Sequence, residues 1–314
     1  MSEPESVLVP EKPPEDLFLE IVDRVHEGIY FLDKVQRVTF WNPAAEQITG
    51  YKGSEILGKF CSANVLTHVD EKGNILCLSD CPAKLTLRDG VARTCEVYVH
   101  HKEGYRLPIS LTCLPRRNPS GEIIGTAQIF YSLSPQLLMP HKAQELDQMI
   151  LLDPLTELGN KQYLEMLVHS RLDELNRYHF SFGVIFVDID HLKSVNERYG
   201  LEVGDKVLKM VSQTLANNVR FFEVVGRWGG EEFLSVIINV DEQKLALVAN
   251  KLRVLIANSN VLVGPDLISV TVSIGATLAQ RYDSVESLVQ RAEQLMLQSK
   301  WLGRNRVSTK PVVK

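Results

Sequence analysis

The sequence predicts an α+β chain of two domains joined by a helix. An antiparallel sheet with flanking helices comes first, and a central sheet surrounded by helices comes second. Three observations lead there. Three alternating apolar runs, Thr94–His100, Arg106–Leu114 and Ile123–Tyr131, follow one another with turn residues between them, as antiparallel strands do. The run Ser181–Asp188 is almost continuously apolar, which a strand buried on both faces requires. Beyond Asp153, β-type runs alternate with longer helical patterns, giving an α/β or α+β unit of roughly 160 residues.

The bulk numbers bound the function. The 314 residues are 45% hydrophobic and 23% charged, the profile of an ordinary globular protein with room for two cores. A net charge of −5 leaves no basic footprint, so nucleic acid is not an expected partner. No apolar run has the length of a membrane span and the N-terminus lacks a signal-peptide pattern, so the expected location is the cytoplasm. The five cysteines (Cys61, Cys77, Cys81, Cys95, Cys113) lie in the first half, and an odd count without an export signal points to reduced thiols.

Residues 1–16 carry Pro4, Pro10, Pro13, Pro14 and several glutamates, and read as a flexible tail. Leu17, Phe18, Ile21, Val22 and Val25 recur at helical spacing. Two β-type runs, Gly28–Asp33 and Val38–Asn42, follow, and Asn42-Pro43 is a helix-start signal. With the three later strands this makes a first domain over 17–133. Cys77-x-x-x-Cys81 lacks the spacing and the second pair of a zinc ribbon, so its thiols read as buried small hydrophobes. His100 and His101 are adjacent in a strand, and their rings face opposite ways. Residues 134–153 read as a junction in which Ala143, Leu146, Met149, Ile150 and Leu152 fit a short amphipathic helix.

The order of elements over 17–133 resembles a PAS domain. The resemblance rests on Glu27-Gly28-Ile29-Tyr30-Phe31-Leu32-Asp33, Phe40-Trp41-Asn42-Pro43-Ala44-Ala45-Glu46, Thr49-Gly50-Tyr51, Glu55-Ile56-Leu57-Gly58-Lys59 and Gly121-Glu122-Ile123-Ile124-Gly125. It implies a sensory or dimerising module whose ligand would lie between sheet and helices. The residues do not name that ligand.

The second domain, 154–314, is organised around Arg227-Trp228-Gly229-Gly230-Glu231-Glu232-Phe233, between two apolar β-type runs. The glycine pair predicts a tight hairpin with both glycines in the turn, followed by two acids that alternate between the faces of a strand. Three more groups accompany it. Asp188-Ile189-Asp190-His191-Leu192-Lys193-x-x-Asn196 puts an acid at the end of a buried strand, where open sheets present a ligand crevice, and then opens a helix that can cradle phosphate. Gly204-Asp205 is expected at the start of a helix over 205–219. Lys300-x-x-x-Arg304 places two cations one turn apart, on a helix or over its end. A helix over 242–258, a strand Ser269–Leu278 and a helix over 284–299 complete the set. Singly, each group reads as a strand-end acid, a helix cap or a basic helix terminus.

Together with Asp153-Pro154-Leu155-Thr156-x-Leu158-x-Asn160, Gly200-x-x-x-Gly204-Asp205-x-Val207-Leu208, Ser273-Ile274-Gly275 and Lys300-x-x-Gly303-Arg304-Asn305, these motifs resemble the GGDEF family of diguanylate cyclases, in the GGEEF spelling. The family condenses two GTP into cyclic di-GMP and two pyrophosphates. By position, the resemblance implies that Asp188, the carbonyl of Ile189 and Glu231 hold magnesium, with manganese as the alternative. It implies that Glu231, Glu232 and Lys193 form the catalytic set and that Lys193, Lys300 and Arg304 bind phosphates. Asn196 and Asp205 would read guanine, and Gly229 and Gly230 would lie under the nucleotide. A product with twofold symmetry made from two singly loaded domains implies a homodimer.

Three positions depart from the family pattern. Its inhibitory product site is R-x-x-D, and here the segment reads Arg220-Phe221-Phe222-Glu223, one methylene longer at the acid. Leu192 and Leu201 stand where Phe and His are frequent in the family. The competing readings are a silent nucleotide-binding module and an effector-binding PAS protein whose second half only dimerises. The intact hairpin favours the enzyme.

Overall fold

The computed structural model describes residues 15–62, 66–134 and 151–311. The tail expected over residues 1–16 lies outside them except for Glu15 and Asp16, which begin a helix. The amphipathic helix expected over 143–152 also lies outside, except at its end, where Leu152 forms an isolated bridge with Gly159.

The first domain runs α1 (Glu15–Arg24), β1 (Gly28–Asp33), β2 (Val38–Trp41), α2 (Pro43–Thr49), α3 (Gly53–Ile56), α4 (Pro82–Asp89), β3 (Arg93–His100), β4 (Arg106–Arg117) and β5 (Ile123–Ser132). Its five strands form one antiparallel sheet in the order β2-β1-β5-β4-β3. Asn42 fixes the start of α2 as its sequence predicts: its fully buried side chain accepts from the amide of Ala45 at 2.9 Å and donates to the carbonyls of Val22 and Glu27. The helices cover the inner face of the sheet around Tyr30, Leu32, Val97, Val99, Ile109, Leu111 and Phe130. Cys61, Cys81 and Cys113 belong to that core, and burial pushes the Cys61 and Cys113 thiols up to about 12.

The second domain runs α5 (Lys161–Tyr178), β6 (Phe182–Ile189), α6 (Leu192–Tyr199), α7 (Leu201–Asn217), β7 (Val224–Gly229), β8 (Glu232–Ile238), α8 (Glu242–Ala257), β9 (Val261–Val263), β10 (Asp266–Ile268), β11 (Val272–Leu278), α9 (Val285–Trp301) and β12 (Val307–Ser308). Its main sheet has the order β12-β11-β6-β8-β7, with β6 central and buried along its whole length. Alternation along β6 divides the domain into two layers. Ile185, Val187 and Ile189 join Val207, Val211, Leu252 and Ile256 of α7 and α8; Phe182, Val184 and Phe186 join Leu164 and Val168 of α5 and Leu288, Ala292 and Met296 of α9. The chain is thus α+β throughout, and among the described residues no helix is long and apolar enough to cross a membrane.

Two expected boundaries shift. The helix expected from Asp205 begins at Leu201, because Gly200, at φ 88, ends α6 and redirects the chain there. The strand expected from Ser269 begins at Val272. Val272 pairs with Ile189, the last residue of β6, so the residues before it have no strand to pair with. The short β9–β10 ribbon is not among the elements the sequence predicts.

The loop between β3 and β4 reaches the second domain. The Arg106 guanidinium donates from Nε and Nη2 to the carbonyl of Asn258, the residue that ends α8, at 2.9 and 2.6 Å. The Arg106 carbonyl accepts from Nδ2 of Asn218, which ends α7, at 2.9 Å. The Asn260 amide donates to the Gly104 carbonyl, and Tyr105 packs against both cores. A cation over a helix C-terminus is favoured by the helix dipole, so one arginine of the first domain caps a helix of the second.

Candidate active site

The hairpin differs from expectation by one residue. Gly229 ends β7 and pairs with Glu232, so the two-residue turn is Gly230-Glu231 and not Gly229-Gly230. Only Gly230 has positive φ, at 51, and it takes the first central position, where one of the mirror-image hairpin turns calls for glycine. Glu231 therefore sits in the turn, and alternation along a strand does not apply to the two acids as a pair. A Cβ at Gly229 or Gly230 would meet nothing within 4 Å, so both present open backbone.

Arg227 holds this turn. Its Nε and Nη2 donate to the Gly230 carbonyl at 2.9 and 2.7 Å, and its Nη1 reaches both carboxylate oxygens of Asp153 at 3.2 Å. Burial pushes the Asp153 carboxyl up, but bonds from Thr156 and the charge and bonds of Arg227 outweigh it and hold it below its ordinary value. Both residues are in the quoted motifs, yet they lie 74 positions apart and nothing in the sequence pairs them.

Asp188 stands opposite Glu232 on β8 and opposite Ser273 on β11. It shares the α9 side of β6 with Phe186, and there Lys300 Nζ meets its Oδ2 at 2.7 Å. The side chain is 4% exposed, and Oδ1 is buried with no hydrogen-bond partner among the described residues. Burial pushes its carboxyl up to about 6 despite Lys300, and the charges of Glu231 and Glu232 add to that push. Glu232 is raised as well, by burial first and by the charge of Glu293 next. The Ile189 amide donates to the Glu231 carbonyl at 3.3 Å, tying the end of β6 to the turn.

The other expected residues lie around this centre. Lys193, the second residue of α6, faces solvent and pairs loosely with Glu197 at 3.8 Å. Arg304 lies beyond the end of α9 and is exposed. Asp205 is the fifth residue of α7, not its first, and is exposed. Asn196 lies over Gly204, where a Cβ would stand 1.8 Å from its Oδ1, and that oxygen is buried without a partner. No hydrogen bond or ion pair among the described residues joins Lys193, Arg304, Asn196 or Asp205 to the carboxylates. Glu223 is buried, and its Oε2 accepts from the amide of Arg220 at 2.7 Å. Asp190, to which the sequence assigns no role, accepts from Thr271, Ser273 and the Asn305 amide.

The donor set fits a hard divalent cation. A buried carboxylate oxygen without a donor, two acids beside it and a raised carboxyl together describe more negative charge than Lys300 alone offsets. Among the described residues no three His, Cys, Asp or Glu side chains gather closely enough to hold an ion by themselves, in keeping with a set completed by a backbone carbonyl.

Known protein families match both halves of the chain. The family described as "Diguanylate cyclase, GGDEF domain" matches residues 150–306, and a PAS domain family matches residues 26–131. Diguanylate cyclase DosC of Escherichia coli is 32% identical over 158 residues, which is 50% of this chain and 34% of DosC. Response regulator PleD of Caulobacter vibrioides is 32% identical over 158 residues, 49% of this chain and 35% of PleD. The chain thus spans about a third of the length of these relatives. The solved coiled coil and GGDEF domain of DgcB from Caulobacter crescentus, in complex with c-di-GMP, superposes with a TM-score of 0.50 at 25% identity, over 52% of this chain and 87% of that one. With half of its length matched by the family's pattern, the chain belongs to the GGDEF diguanylate cyclase family, with a PAS domain ahead of the GGDEF domain.

Proposed function

We propose that the chain is a cytoplasmic diguanylate cyclase that condenses two GTP into cyclic di-GMP and two pyrophosphates, as a homodimer and under the control of its PAS domain. The observation that carries this reading is the buried Asp188 carboxylate, paired with Lys300 yet left with a free oxygen, beside Glu231, Glu232 and the open backbone of Gly229-Gly230. The PAS domain would span 17–133, the connecting segment 134–153 and the cyclase 154–314.

Asp188, Glu231 and the Ile189 carbonyl would hold magnesium or manganese, which when bound neutralises phosphate charge and favours loss of the 3′-hydroxyl proton. Lys193, Lys300 and Arg304 bind the phosphates and offset their charge as the bond to pyrophosphate breaks. Glu231 or Glu232, the latter with a raised carboxyl, would accept the 3′-hydroxyl proton as that oxygen bonds to the α-phosphorus. Asn196 contributes a buried carbonyl oxygen without a donor, and with Asp205 it reads the guanine edge. Because one domain holds one GTP, two hairpins must face each other, and holding two nucleotides in line supplies much of the rate enhancement. The Arg106 contact with the ends of α7 and α8 supports control by the PAS domain, since α7 also carries Asp205.

The test is purified protein with GTP and magnesium, followed by nucleotide chromatography and mass measurement in solution. Cyclic di-GMP and pyrophosphate in a one-to-two ratio are expected from a dimer. A confirmed dimer that makes none refutes the reading.

A further inference from the structure

Asp190 has no place in the chemistry above, yet its carboxylate is 3% exposed and accepts three hydrogen bonds. Oδ2 receives Thr271 Oγ1 at 2.7 Å and the Asn305 amide at 3.1 Å, and Oδ1 receives Ser273 Oγ at 2.7 Å. Two of these donors belong to or adjoin β11. The third belongs to the turn beyond α9, where Gly303, Arg304 and Asn305 have φ values of 109, 62 and 46. Arg304 and Asn305 carry side chains, so left-handed backbone at both is strained and persists only where the surroundings hold it.

Those surroundings are visible. The Asn305 amide is held by Asp190, and the Asn305 Oδ1 accepts from Arg253 Nη1 at 2.7 Å. The Arg304 amide donates to the Ser299 carbonyl at 3.0 Å, and the Arg306 carbonyl accepts from the Ile274 amide at 2.9 Å. Asp188 and Asp190 thereby grip the two ends of one basic segment, Asp188 through the Lys300 side chain and Asp190 through the Asn305 backbone.

We infer that Asp190 is a positioning residue, whose carboxylate locks the strained Arg304–Asn305 turn so that the Arg304 guanidinium is presented to the nucleotide's phosphates. The inference rests on the reading of Arg304 as a phosphate ligand. It does not require Asp190 to touch nucleotide or metal.

The test is a double-mutant cycle in the full chain, reading the Kd of an α,β-methylene GTP analogue by calorimetry. Asp190→Ala is expected to weaken binding about tenfold, the scale of a lost hydrogen bond to a charged group. In an Arg304→Ala background the same change is expected to add nothing. Asp190→Asn is expected to bind nearly as wild type, because its amide nitrogen can face the Ser273 hydroxyl while its oxygen keeps the Asn305 amide. Should Asp190→Ala fold poorly, Arg253→Met loosens the same turn from its other side and takes its place in the cycle. Losses that multiply across the cycle, or wild-type affinity in the alanine variant, overturn the inference. If wild type binds the analogue but makes no cyclic di-GMP, the cyclase reading falls while the cycle still decides the role of Asp190.

Discussion

Lys300 Nζ stands 2.7 Å from Oδ2 of Asp188, joining the last turn of α9 to the end of β6, and the pair does not neutralise itself. Asp188 still titrates near 6, because burial and two neighbouring acids outweigh the lysine. A carboxyl that holds its proton to about 6 when folded, against about 3.9 when unfolded, lowers stability as pH rises between those values. Above that window the penalty is about 3 kcal/mol. Metal-free Asp188→Asn should therefore melt above wild type at neutral pH, and the difference should vanish below the window. Cyclase activity should be lost, and magnesium should raise the melting temperature of wild type only. A variant that melts lower at neutral pH would contradict this account. Lys300, 27% exposed, can turn to water once its partner is neutral.

Arg227 uses one face of its guanidinium on the Gly230 carbonyl and another nitrogen on Asp153, which a single ammonium cannot reproduce. Arg227→Lys should leave the unfolding free energy within about a kcal/mol of wild type while lowering kcat by roughly tenfold or more, because the Glu231 turn loses its anchor. Unchanged turnover in the lysine variant would show that the hairpin holds its shape without the fork.

What was legible in the sequence was local. Asp188, the hairpin and Lys300 stand in short motifs whose spacing follows strand and helix geometry, and the structure brings Asp188, Glu231, Glu232 and Lys300 into one electrostatic neighbourhood. What was not legible depends on the path of the backbone. Two glycines in a row cannot say which of them is the turn, and only the pairing of Gly229 with Glu232 places Glu231 at the tip. The Arg227–Asp153 pair and the Asp190–Asn305 bond join residues far apart in sequence, so no window contains them. In the sequence Arg106 marks only the start of a strand, and its reach to Asn258 spans 152 positions.

Gly204 is defined by its neighbour. A Cβ there would lie 1.8 Å from Asn196 Oδ1, with α6 and α7 packed together around the pair. Gly204→Ala should force Asn196 out of place and raise the Kd for the GTP analogue by about tenfold, with a smaller change in kcat at saturation. If Asn196 reads guanine, the loss should be smaller for an inosine triphosphate analogue, which lacks the exocyclic amine. Equal losses for both bases would remove Asn196 from that role.

Arg106 is 3% exposed and makes no ion pair among the described residues; burial lowers it to about 10, so it stays charged at neutral pH. Its charge is met by backbone carbonyls of both domains, those of Thr67 and Asn258. Arg106→Met keeps much of the buried length and removes the guanidinium bonds to Asn258 that cross the interface. Calorimetry should then resolve two unfolding transitions, PAS and GGDEF, where wild type shows one. A single transition at the wild-type temperature would mean that the interface does not couple the domains.

The PAS domain should respond to acid in the opposite sense to Asp188. Burial lowers His68, His100 and His101 to about 4, with the Arg106 charge adding at His68 and His100. A histidine that resists its proton when folded contributes nothing above its unfolded value near 6.5 and penalises the fold progressively below it. Each amounts to about 3 kcal/mol once the pH reaches 4, enough together to exceed the stability of many domains. Because His100 pairs directly with Arg106 across β3 and β4, its protonation also sets two positive charges side by side at the domain interface. In Arg106→Met, where the two transitions are separately visible, the PAS transition should fall steeply as pH drops from about 6.5 to 4. Over the same range the Asp188 contribution should favour the GGDEF transition. The substitution also removes the interface charge, so the PAS transition of the variant should fall less steeply than the acid-induced loss of wild type. A PAS transition that stays level through that range would show that these histidines gain their protons without cost to the fold.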